Sequence, residues 1–400
     1  MAKAAILGFG TVGSGVYEIL KKHNFEDKIG ADIEAVKILD IRDFPGDEAE
    51  ALLTKDFKEI SEDKNISVVA ETMGGLHPAY EFTKELLEGG KSVVTSNKEL
   101  VATYGPELLE IAKKNNVSYL FEASVGGGIP IIRPMTSCLL ANDIERIAGI
   151  LNGTTNYILT QMFENGKSFE SALSDAQELG YAERNPAADV EGHDACRKIA
   201  ILASLAWGKF VDYNNITTEG ITNITAEDVK YAGKLDSVIK LIGYAERGED
   251  DKVSAMVRPM MIKKTSPIAG VSDVFNAVMV TGDSLGDAMF YGKGAGKLAT
   301  ASAVVADVIS CVMHEDSKKH TISMKIPEAG YVKNSDENEA EFFVRTDASE
   351  ADIKVLFPQA EFVSENGETA FVTPKMNEGL LKEKLSQAGN VKTVIRILAV

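Results

Sequence analysis

Residues 3–13 read Lys-Ala-Ala-Ile-Leu-Gly-Phe-Gly-Thr-Val-Gly, and the architecture of the N-terminal part of the chain follows from them. The first five residues have the apolar character of a short buried strand, and those after Gly13 have the spacing of an amphipathic helix. Between strand and helix lies Gly8-x-Gly10-x-x-Gly13, whose glycines let the backbone approach a pyrophosphate at the helix N-terminus. The stretch therefore predicts a dinucleotide site.

Strands and helices alternate through the first third of the chain. Apolar strands are indicated near 33–39, 68–72, 92–95 and 118–122, with helices at 79–88 and 104–115. This order is typical of an α/β fold, so residues 1–134 are predicted to form a Rossmann domain with a doubly wound parallel sheet. An apolar helix at 298–313 is expected to return to this domain, which would be completed by about residues 298–320.

The pattern changes after residue 134. A strand at 145–151, helices at 158–164, 168–179 and 194–207, and strands at 253–262 and 276–282 predict an α+β substrate domain over 135–297, with helices covering one face of its sheet. An acidic linker at 333–339 precedes a small C-terminal module, residues 340–400, in which the elements follow the order βαββαβ.

Composition narrows the class of protein. The chain has 400 residues and a formal net charge of −18, which argues against a nucleic-acid partner because phosphate binding needs a basic surface. Its three cysteines show no metal-ligand spacing, and no apolar run is long enough to cross a bilayer. The chain enters a strand at once without a signal peptide, so we expect a cytoplasmic enzyme with no membrane partner.

Two residues at the end of the second strand bear on the choice of cofactor. Asp40 lies where an acid would bind the ribose hydroxyls of NAD. Arg42 could instead hold the 2′-phosphate of NADP, which Asp40 would repel, or it is a loop charge that faces water. The sequence leaves the choice between NAD and NADP open.

Three charged residues are candidates for chemistry. Asp194 and Lys198 are four apart in a helical pattern and share one face, so a carboxylate and an amine could orient and protonate a small polar substrate. The alternative is a solvated helix pair. Lys98 follows a buried strand, in a loop at the sheet edge where such folds bind ligands; it is a candidate site cation or an exposed charge.

Two loops are candidates for binding. Glu122 opens a glycine-rich turn whose carbonyls, with the carboxylate, could hold a hard monovalent cation; otherwise the turn only joins two domains. In Gly149-Ile-Leu-Asn-Gly-Thr-Thr-Asn156, Thr154 or Thr155 is the predicted N-cap of a helix whose free N–H groups could grip a substrate carboxylate. Capping alone would also explain these residues.

Six motifs in one order resemble those of homoserine dehydrogenases, and together they cover nearly the whole chain. They are Gly-Phe-Gly-Thr-Val-Gly at 8–13, Val-Val-Thr-Ser-Asn-Lys-Glu at 93–99, Glu-Ala-Ser-Val-Gly-Gly-Gly-Ile-Pro at 122–130, Gly-Ile-Leu-Asn-Gly-Thr-Thr-Asn at 149–156, Asp-Val-Glu-Gly-His-Asp-Ala-Cys-Arg-Lys at 189–198 and Gly-Lys-Gly-Ala-Gly at 292–296. The resemblance implies reversible, NAD- or NADP-dependent hydride transfer between L-aspartate 4-semialdehyde and L-homoserine, in threonine, methionine and isoleucine biosynthesis.

The resemblance also implies residue roles. Lys198 would exchange the proton with the substrate oxygen. Asp194 would orient Lys198, or the substrate through a bridging water, and Lys98 would lie between the nicotinamide and the substrate. The substrate pocket would contain Glu183, Thr154, Tyr181 and Asp189. The cofactor would contact Gly8, Gly10, Thr11, Val12, Gly13, Asp40, Arg42, Lys98, Gly294 and Gly296. Glu122, with the carbonyls of Val125, Gly127 and Ile129, would hold a sodium ion.

The C-terminal module is similar to an ACT domain, an amino-acid-sensing module. Its first strand is followed by Arg345-Thr346-Asp347-Ala348 instead of the family's Gly-Val-Leu type of turn, which leaves regulation by threonine or another amino acid open. The resemblance favours a homodimer built through the substrate domain, with a tetramer as the alternative. A different amino-acid semialdehyde dehydrogenase and a catalytically silent metabolite sensor are the competing functions, and a sensor would be expected to lack Lys98 or Lys198.

Overall fold

The computed structural model describes residues 1–315, 322–365 and 367–399, so part of the predicted 298–320 segment lies outside the described residues. The chain forms two compact units. Unit 1 comprises Met1–Asp143, Ala200–Tyr213 and Phe290–Pro327, and unit 2 comprises Ile144–Ile199, Asn214–Met289 and Glu328–Val400.

The strands and helices are numbered along the chain. The strands are β1 Ala2–Leu7, β2 Ile33–Leu39, β3 Leu53–Thr54, β4 Ile66–Glu71, β5 Ser92–Thr95, β6 Tyr119–Leu120, β7 Ile144–Ile150, β8 Thr217–Thr218, β9 Ser237–Arg247, β10 Val253–Lys263, β11 Phe275–Gly282, β12 Gly286–Lys293, β13 Glu339–Ala340, β14 Phe342–Thr346, β15 Glu361–Phe362, β16 Thr369–Val372, β17 Met376–Asn377 and β18 Val391–Ile397. The helices are α1 Thr11–Lys22, α2 Glu26–Ile29, α3 Lys58–Ser61, α4 Ala79–Glu88, α5 Lys98–Lys114, α6 Gly153–Asn165, α7 Phe169–Glu178, α8 Ala187–Val190, α9 His193–Trp207, α10 Ala226–Lys234, α11 Lys297–Met313, α12 Glu350–Leu356 and α13 Glu378–Leu385.

Unit 1 contains a six-stranded parallel sheet in the order β3-β2-β1-β4-β5-β6. Its central strands are mostly apolar because both faces are covered, and Ile6, Val69 and Val94 are fully buried. The strand order reverses beside β1, which is the doubly wound arrangement that binds dinucleotides at the carboxyl ends of the strands. The predicted Rossmann fold is confirmed.

Helix α11 belongs to unit 1 although it lies far along the chain. It packs against α1 at Gly15, where an added β-carbon would lie 2.9 Å from Cβ of Ala301. The small residue at position 15 therefore permits the close approach of the two helices.

Unit 2 contains a sheet in the order β12-β11-β7-β9-β10-β18-β14-β16-β15, in which β8 also pairs with β10. The part of α9 that belongs to unit 2, which ends at Ile199, covers one face, since a β-carbon at Gly243 would lie 3.2 Å from Cβ of Ile199. On the other face, Ile150, Ile242 and Met279 form a buried cluster. The predicted α+β architecture, with a sheet covered by helices, agrees with this arrangement.

The C-terminal residues add four antiparallel strands to that sheet, in the order β18-β14-β16-β15. Strand β18 pairs with β10 in parallel, with Met260 opposite Arg396, so the sheet continues without a break. Two buried ion pairs also join the C-terminal residues to the earlier part of unit 2. Arg345 Nε lies 2.8 Å from Asp228 Oδ1, and Arg258 Nη1 lies 3.0 Å from Glu378 Oε2.

Some element bounds differ from the predicted ones. Helix α5 begins at Lys98 rather than Tyr104, because Oδ1 of Asn97 accepts a hydrogen bond from the Leu100 N–H and caps the helix. Strand β9 was absent from the prediction. Among the helices of the described residues, none combines the length and apolar character that crossing a bilayer requires.

Candidate active site

The glycine-rich turn of unit 1 has the geometry that its sequence predicts. Gly8 has a φ of +90°, which disfavours any other residue. A β-carbon at Gly13 would lie only 1.9 Å from the Gly8 carbonyl oxygen. Gly10 precedes α1, whose N-terminus has no side-chain cap, so the first N–H groups of the helix, starting at Thr11 and Val12, suit an anionic ligand. These residues fit the pyrophosphate of a dinucleotide.

Asp40 and Arg42 form an ion pair, although in the sequence analysis they favour different cofactors. The Asp40 carboxylate accepts hydrogen bonds from the N–H of Phe9 at 2.7 Å and from Nη2 of Arg42 at 2.8 Å. The Arg42 side chain lowers the pKa of Asp40 to about 2. Its guanidinium also lies 5.0 Å from the ring of Phe44 and is mostly exposed. A cofactor therefore meets an acid whose charge is already compensated.

Lys98 is the first residue of α5, so the expectation that it lies in a loop is wrong. It is partly buried at the carboxyl end of β5. Both polar atoms of the Asn97 side chain fix the helix start, since Oδ1 caps the helix and Nδ2 donates to the Gly75 carbonyl at 2.6 Å. The backbone of Lys98 is therefore held in a fixed position at the edge of the sheet where such folds bind ligands.

The carboxylate of Glu122 is buried and committed to the backbone. It accepts hydrogen bonds from the N–H groups of Ile131, Ile132 and Arg133 at 2.6–2.8 Å. The expectation that this carboxylate binds a cation therefore does not fit the structure. Glu122 would have to contribute to a cation site through its main-chain carbonyl. Among the described residues, no three His, Cys, Asp or Glu side chains are grouped as metal ligands.

The carbonyls after Glu122 are better placed for a cation. Within the described part of the chain, the carbonyl oxygens of Val125, Gly127 and Ile129 accept no hydrogen bond, although these residues are buried. Such oxygens need a partner, and carbonyl oxygens suit a hard cation. The turn also touches the second glycine segment, since a β-carbon at Gly127 would lie 2.4 Å from the Gly294 carbonyl oxygen, and Gly296 then precedes α11.

A polar cluster in unit 2 surrounds the start of α9. Nζ of Lys198 donates hydrogen bonds to Oδ2 of Asp194 and to the Leu151 carbonyl, both at 2.7 Å. Only 8% of Lys198 and 5% of Asp194 are exposed, which excludes a solvated helix pair. The lysine charge is held in a site that water barely reaches, where charge interactions are strong.

Asn152 links this pair to a further carboxylate. Its Nδ2 donates to Oδ2 of Asp194 at 2.9 Å and to Oδ1 of Asp189 at 2.7 Å, and its Oδ1 accepts from the Thr155 N–H at 2.9 Å. Asn152 is therefore the N-cap of α6, and the prediction that Thr154 or Thr155 caps it is wrong. The sequence offered the signal, since Asn is among the preferred capping residues.

The remaining predicted pocket residues are partly brought together. Oγ1 of Thr154 donates to the Tyr181 carbonyl at 2.6 Å, which places the loop after α7 against the start of α6. Tyr181 is 44% exposed. Glu183 lies exposed in the same loop, and within the described residues its carboxylate makes no hydrogen bond to the cluster.

The comparisons with known proteins agree along the chain. The family model described as the NAD-binding domain of homoserine dehydrogenase matches residues 8–122, and the homoserine dehydrogenase model matches residues 130–309. A homoserine dehydrogenase from a Synechocystis species is 45% identical over 345 residues, which are 84% of this chain and 76% of that protein.

Solved structures show the same likeness. A homoserine dehydrogenase from Thiobacillus denitrificans superposes with a TM-score of 0.91 at 34% identity, covering 99% of this chain and 98% of the other. A hyperthermophilic archaeal homoserine dehydrogenase in complex with NADPH superposes with a TM-score of 0.68 at 28% identity, covering 80% of this chain and 99% of that one.

A dinucleotide-binding Rossmann unit and a buried lysine–carboxylate site on a second unit define an NAD(P)-dependent oxidoreductase acting on a CH–OH group. Identity over most of the chain then fixes the family. The chain belongs to the homoserine dehydrogenases, which interconvert L-homoserine and L-aspartate 4-semialdehyde in amino-acid biosynthesis.

Proposed function

We propose that Lys198 exchanges the proton in the reversible reduction of L-aspartate 4-semialdehyde to L-homoserine. The nicotinamide supplies the hydride to the aldehyde carbon when the cofactor is bound. Lys198 gives a proton from Nζ to the aldehyde oxygen as that oxygen gains negative charge, and it takes the proton back in the reverse direction. The observation that carries this role is the buried hydrogen bond from Nζ of Lys198 to Asp194.

Asp194 and the Leu151 carbonyl orient the amine. Both accept hydrogen bonds from Nζ at 2.7 Å, so the lysine side chain has a fixed direction before substrate arrives. The negative charge of Asp194 favours return of the proton to Nζ after each transfer. Asn152 holds Asp194 in place from the start of α6.

We propose that the amino-acid part of the substrate lies between the start of α6 and the loop after α7. Glu183 would bind the substrate ammonium, which requires movement of its exposed carboxylate. Thr154, Tyr181 and Asp189 would line the same pocket. The contact between Thr154 and the Tyr181 carbonyl and the link from Asn152 to Asp189 support this grouping.

We propose the cofactor contacts on the same basis. Gly8, Gly10, Thr11, Val12 and Gly13 would hold the pyrophosphate. Asp40 and Arg42 would meet the adenosine ribose. Lys98, Gly294 and Gly296 would lie near the nicotinamide, and the carbonyls of Glu122, Val125, Gly127 and Ile129 would hold a sodium ion. The carbonyls of Val125, Gly127 and Ile129, which are buried and accept no hydrogen bond within the described residues, support the sodium site.

We further propose that residues 340–400 form an ACT-like domain. Its two helices and the strand order β18-β14-β16-β15 match a βαββαβ module with the last strand beside the first. The proposed functional regions are then 1–134 with about 298–320, 135–297, and 340–400. Whether an amino acid regulates the enzyme through this module depends on the Arg345–Ala348 turn.

We infer a homodimer, with a tetramer as the alternative, in the cytoplasm. Among the described residues, β12 is an edge strand of the sheet. This strand and the residue before it expose Leu285, Met289 and Tyr291, each at least 40% accessible, and a row of exposed apolar side chains at a sheet edge favours association. The three cysteines form no disulfide within the described residues, which agrees with a reducing compartment. Light scattering after gel filtration would give the mass of the assembly.

The first test is initial rates with L-homoserine in separate NAD and NADP assays, for the wild type and Lys198→Ala. We expect kcat to fall by about 10²–10⁴-fold in the variant, the range for loss of a general acid–base group, while cofactor binding is retained. Lys91→Ala is a matched control, because Lys91 is also buried and its Nζ also donates to a main-chain carbonyl, that of Ile66, at 2.9 Å.

A kcat that survives in Lys198→Ala would contradict the proton-transfer role. A wild type without turnover of homoserine would instead direct the search to other amino-acid semialdehydes.

A further inference from the structure

Asn276, on strand β11, has an unusual environment. Only 1% of the residue is exposed, yet both Nδ2 and Oδ1 lack a hydrogen-bond partner among the described residues. Leaving a buried polar group unpaired costs free energy, so such groups call for a partner that the isolated chain does not supply. The proposed mechanism does not use this residue.

The pairing of β11 with β7 places Asn276 beside the catalytic segment. Ala277 pairs with Ile150, and both side chains belong to the buried cluster on the face of the sheet away from α9. Because side chains alternate along a strand, Asn276 projects from the other face, next to Leu151. The Leu151 carbonyl accepts the hydrogen bond from Nζ of Lys198.

Asn276 also touches the start of α6. A β-carbon at Gly153 would lie 3.4 Å from Oδ1 of Asn276. Between Leu151 and Thr160, Gly153 is the residue that is partly exposed, while the others are buried. The Asn276 carboxamide therefore lies beside an opening at the helix N-terminus.

Two N–H groups share this opening. Within the described chain, those of Gly153 and Thr154 have no hydrogen-bond acceptor, since the Asn152 side chain caps the Thr155 N–H instead. The N-terminus of a 13-residue helix carries partial positive charge and favours an anion over an ammonium group. The carboxamide of Asn276 faces the same place with Oδ1, and because Nδ2 is unpaired as well, a half-turn of the amide about its Cβ–Cγ bond would present the Nδ2–H₂ donor there.

We propose that Asn276 is a specificity-determining residue that donates a hydrogen bond from Nδ2 to the α-carboxylate of the amino-acid substrate, at the N-terminus of α6. The proposal rests on the proposed function and extends it. Two residues of chain separate the Leu151 carbonyl, which holds Lys198, from Gly153, a span of at most ~7 Å. A four-carbon amino acid can bridge that span between its terminal oxygen and its carboxylate.

The test compares L-homoserine with 3-aminopropan-1-ol, which is homoserine without its carboxylate. For Asn276→Ala we expect KM for L-homoserine to rise about 10–100-fold, the effect of losing a hydrogen bond to a charged group, while kcat changes less. The Ki of 3-aminopropan-1-ol against homoserine should stay within about twofold, because that compound cannot use Asn276.

Two further variants separate binding from folding. Asn276→Asp replaces the donor by a like charge, so we expect its KM to exceed that of Asn276→Ala. Asn338→Ala is the matched control, because Asn338 is also buried with an unpaired Nδ2 but belongs to the C-terminal segment of unit 2; its KM should equal the wild-type value. Melting temperatures and cofactor binding confirm that each variant is folded.

Several outcomes would overturn the proposal. An unchanged KM in folded Asn276→Ala, or equal weakening of 3-aminopropan-1-ol and homoserine, overturns the proposal. A KM in Asn276→Asp equal to or below that of Asn276→Ala does so as well. If Asn276→Ala does not fold, Asn276→Ser, which keeps a donor, should fold and show an intermediate KM. A wild type inactive with homoserine would reject the proposed function rather than this residue's role.

Discussion

Buried charges carry most of the chemistry of this chain. Lys198 and Asp194 are held together away from water, and Asp40 is compensated by Arg42 before any cofactor binds. Asp307, on α11, is a third case: it accepts hydrogen bonds from the Glu122 N–H at 2.8 Å and from Nη2 of Arg133 at 2.6 Å. Each of these side chains has an oppositely charged partner within hydrogen-bond distance.

The stability of the protein should depend on the protonation of Asp307. Burial raises the pKa of Asp307 from 3.8 to about 7, although Arg133 and the Glu122 N–H act to lower it. Between pH 4 and 7 the folded chain holds a proton that the unfolded chain releases, so the free energy of unfolding falls as pH rises, by at most ~1.4 kcal/mol per pH unit.

Asp307→Asn removes this contribution. Denaturant unfolding between pH 5 and 8 should show the wild type losing stability relative to the variant up to about pH 7, with a constant difference above it. Parallel curves throughout would contradict the raised pKa.

The Arg42 side chain should influence the choice of cofactor. In Arg42→Ala the Asp40 carboxylate loses its compensating charge, so the ratio of kcat/KM for NADP to that for NAD should fall by about 10–100-fold. Lys114→Ala, at the end of α5, is a control for net charge. An unchanged ratio would mean that the guanidinium does not reach the 2′-phosphate.

The residue types of the site could be predicted from sequence, but not their partners. The spacing of Asp194 and Lys198 gave a shared helix face. Their contact with Leu151 and Asn152 could not follow from spacing, because Lys198 and Leu151 are 47 residues apart and meet only in the folded unit. Burial, which turns a weak surface pair into a site, is likewise a property of the whole unit.

At the scale of the element, the glycine-rich turn is the feature that tolerates substitution least. Gly13→Ala would place a β-carbon 1.9 Å from the Gly8 carbonyl oxygen, so the turn must move and dinucleotide affinity should fall by at least about 10-fold. Gly233→Ala is a matched control, because it lies inside α10 with no atom within 4 Å.

Dinucleotide titration by fluorescence measures both variants. Gly233→Ala should bind like the wild type and gain up to about 1 kcal/mol of stability from helix propensity. Wild-type affinity in Gly13→Ala would show that the turn can relax.

The elements were predictable where their periodicity was clear. The alternation of strands and helices in the first third of the chain predicted the parallel sheet. Strand β9 was missed because most of its residues are buried, so it lacks the alternation of apolar and polar residues that marks a half-buried strand. The early start of α5 was signalled by Asn97, a preferred capping residue that was not used.

At the scale of the molecule, buried ion pairs attach the C-terminal residues to the rest of unit 2. Arg345→Ala leaves Asp228 buried without its guanidinium partner, so we expect the free energy of unfolding to fall by about 3–5 kcal/mol. Lys375→Ala, which breaks the exposed pair with Glu339, should cost less than about 1 kcal/mol.

Chemical denaturation followed by tryptophan fluorescence and circular dichroism measures both changes. Equal costs for the two variants would contradict a supporting role for Arg345. The double variant Arg345→Leu with Asp228→Asn should recover part of the loss, because it leaves no unpaired charge.

The sequence separated the C-terminal module from the substrate region because a polar linker lies between them. It could not show that β18 would pair with β10, since pairing between strands some 130 residues apart depends on which sheet edge is left open. The principal strands and helices of residues 342–397 follow the predicted order, but their strands and those of the rest of unit 2 form one sheet.

The pairing of β18 with β10 has a consequence for synthesis on the ribosome. Strand β18, which completes the sheet of unit 2, is translated well after β10, so β10 emerges with one edge open. Unit 1 likewise waits for α11. Neither unit can close before these later segments have been translated, so the open edge of β10 must be shielded from other chains until β18 emerges, and chains that stop short of β18 should be the species that aggregate.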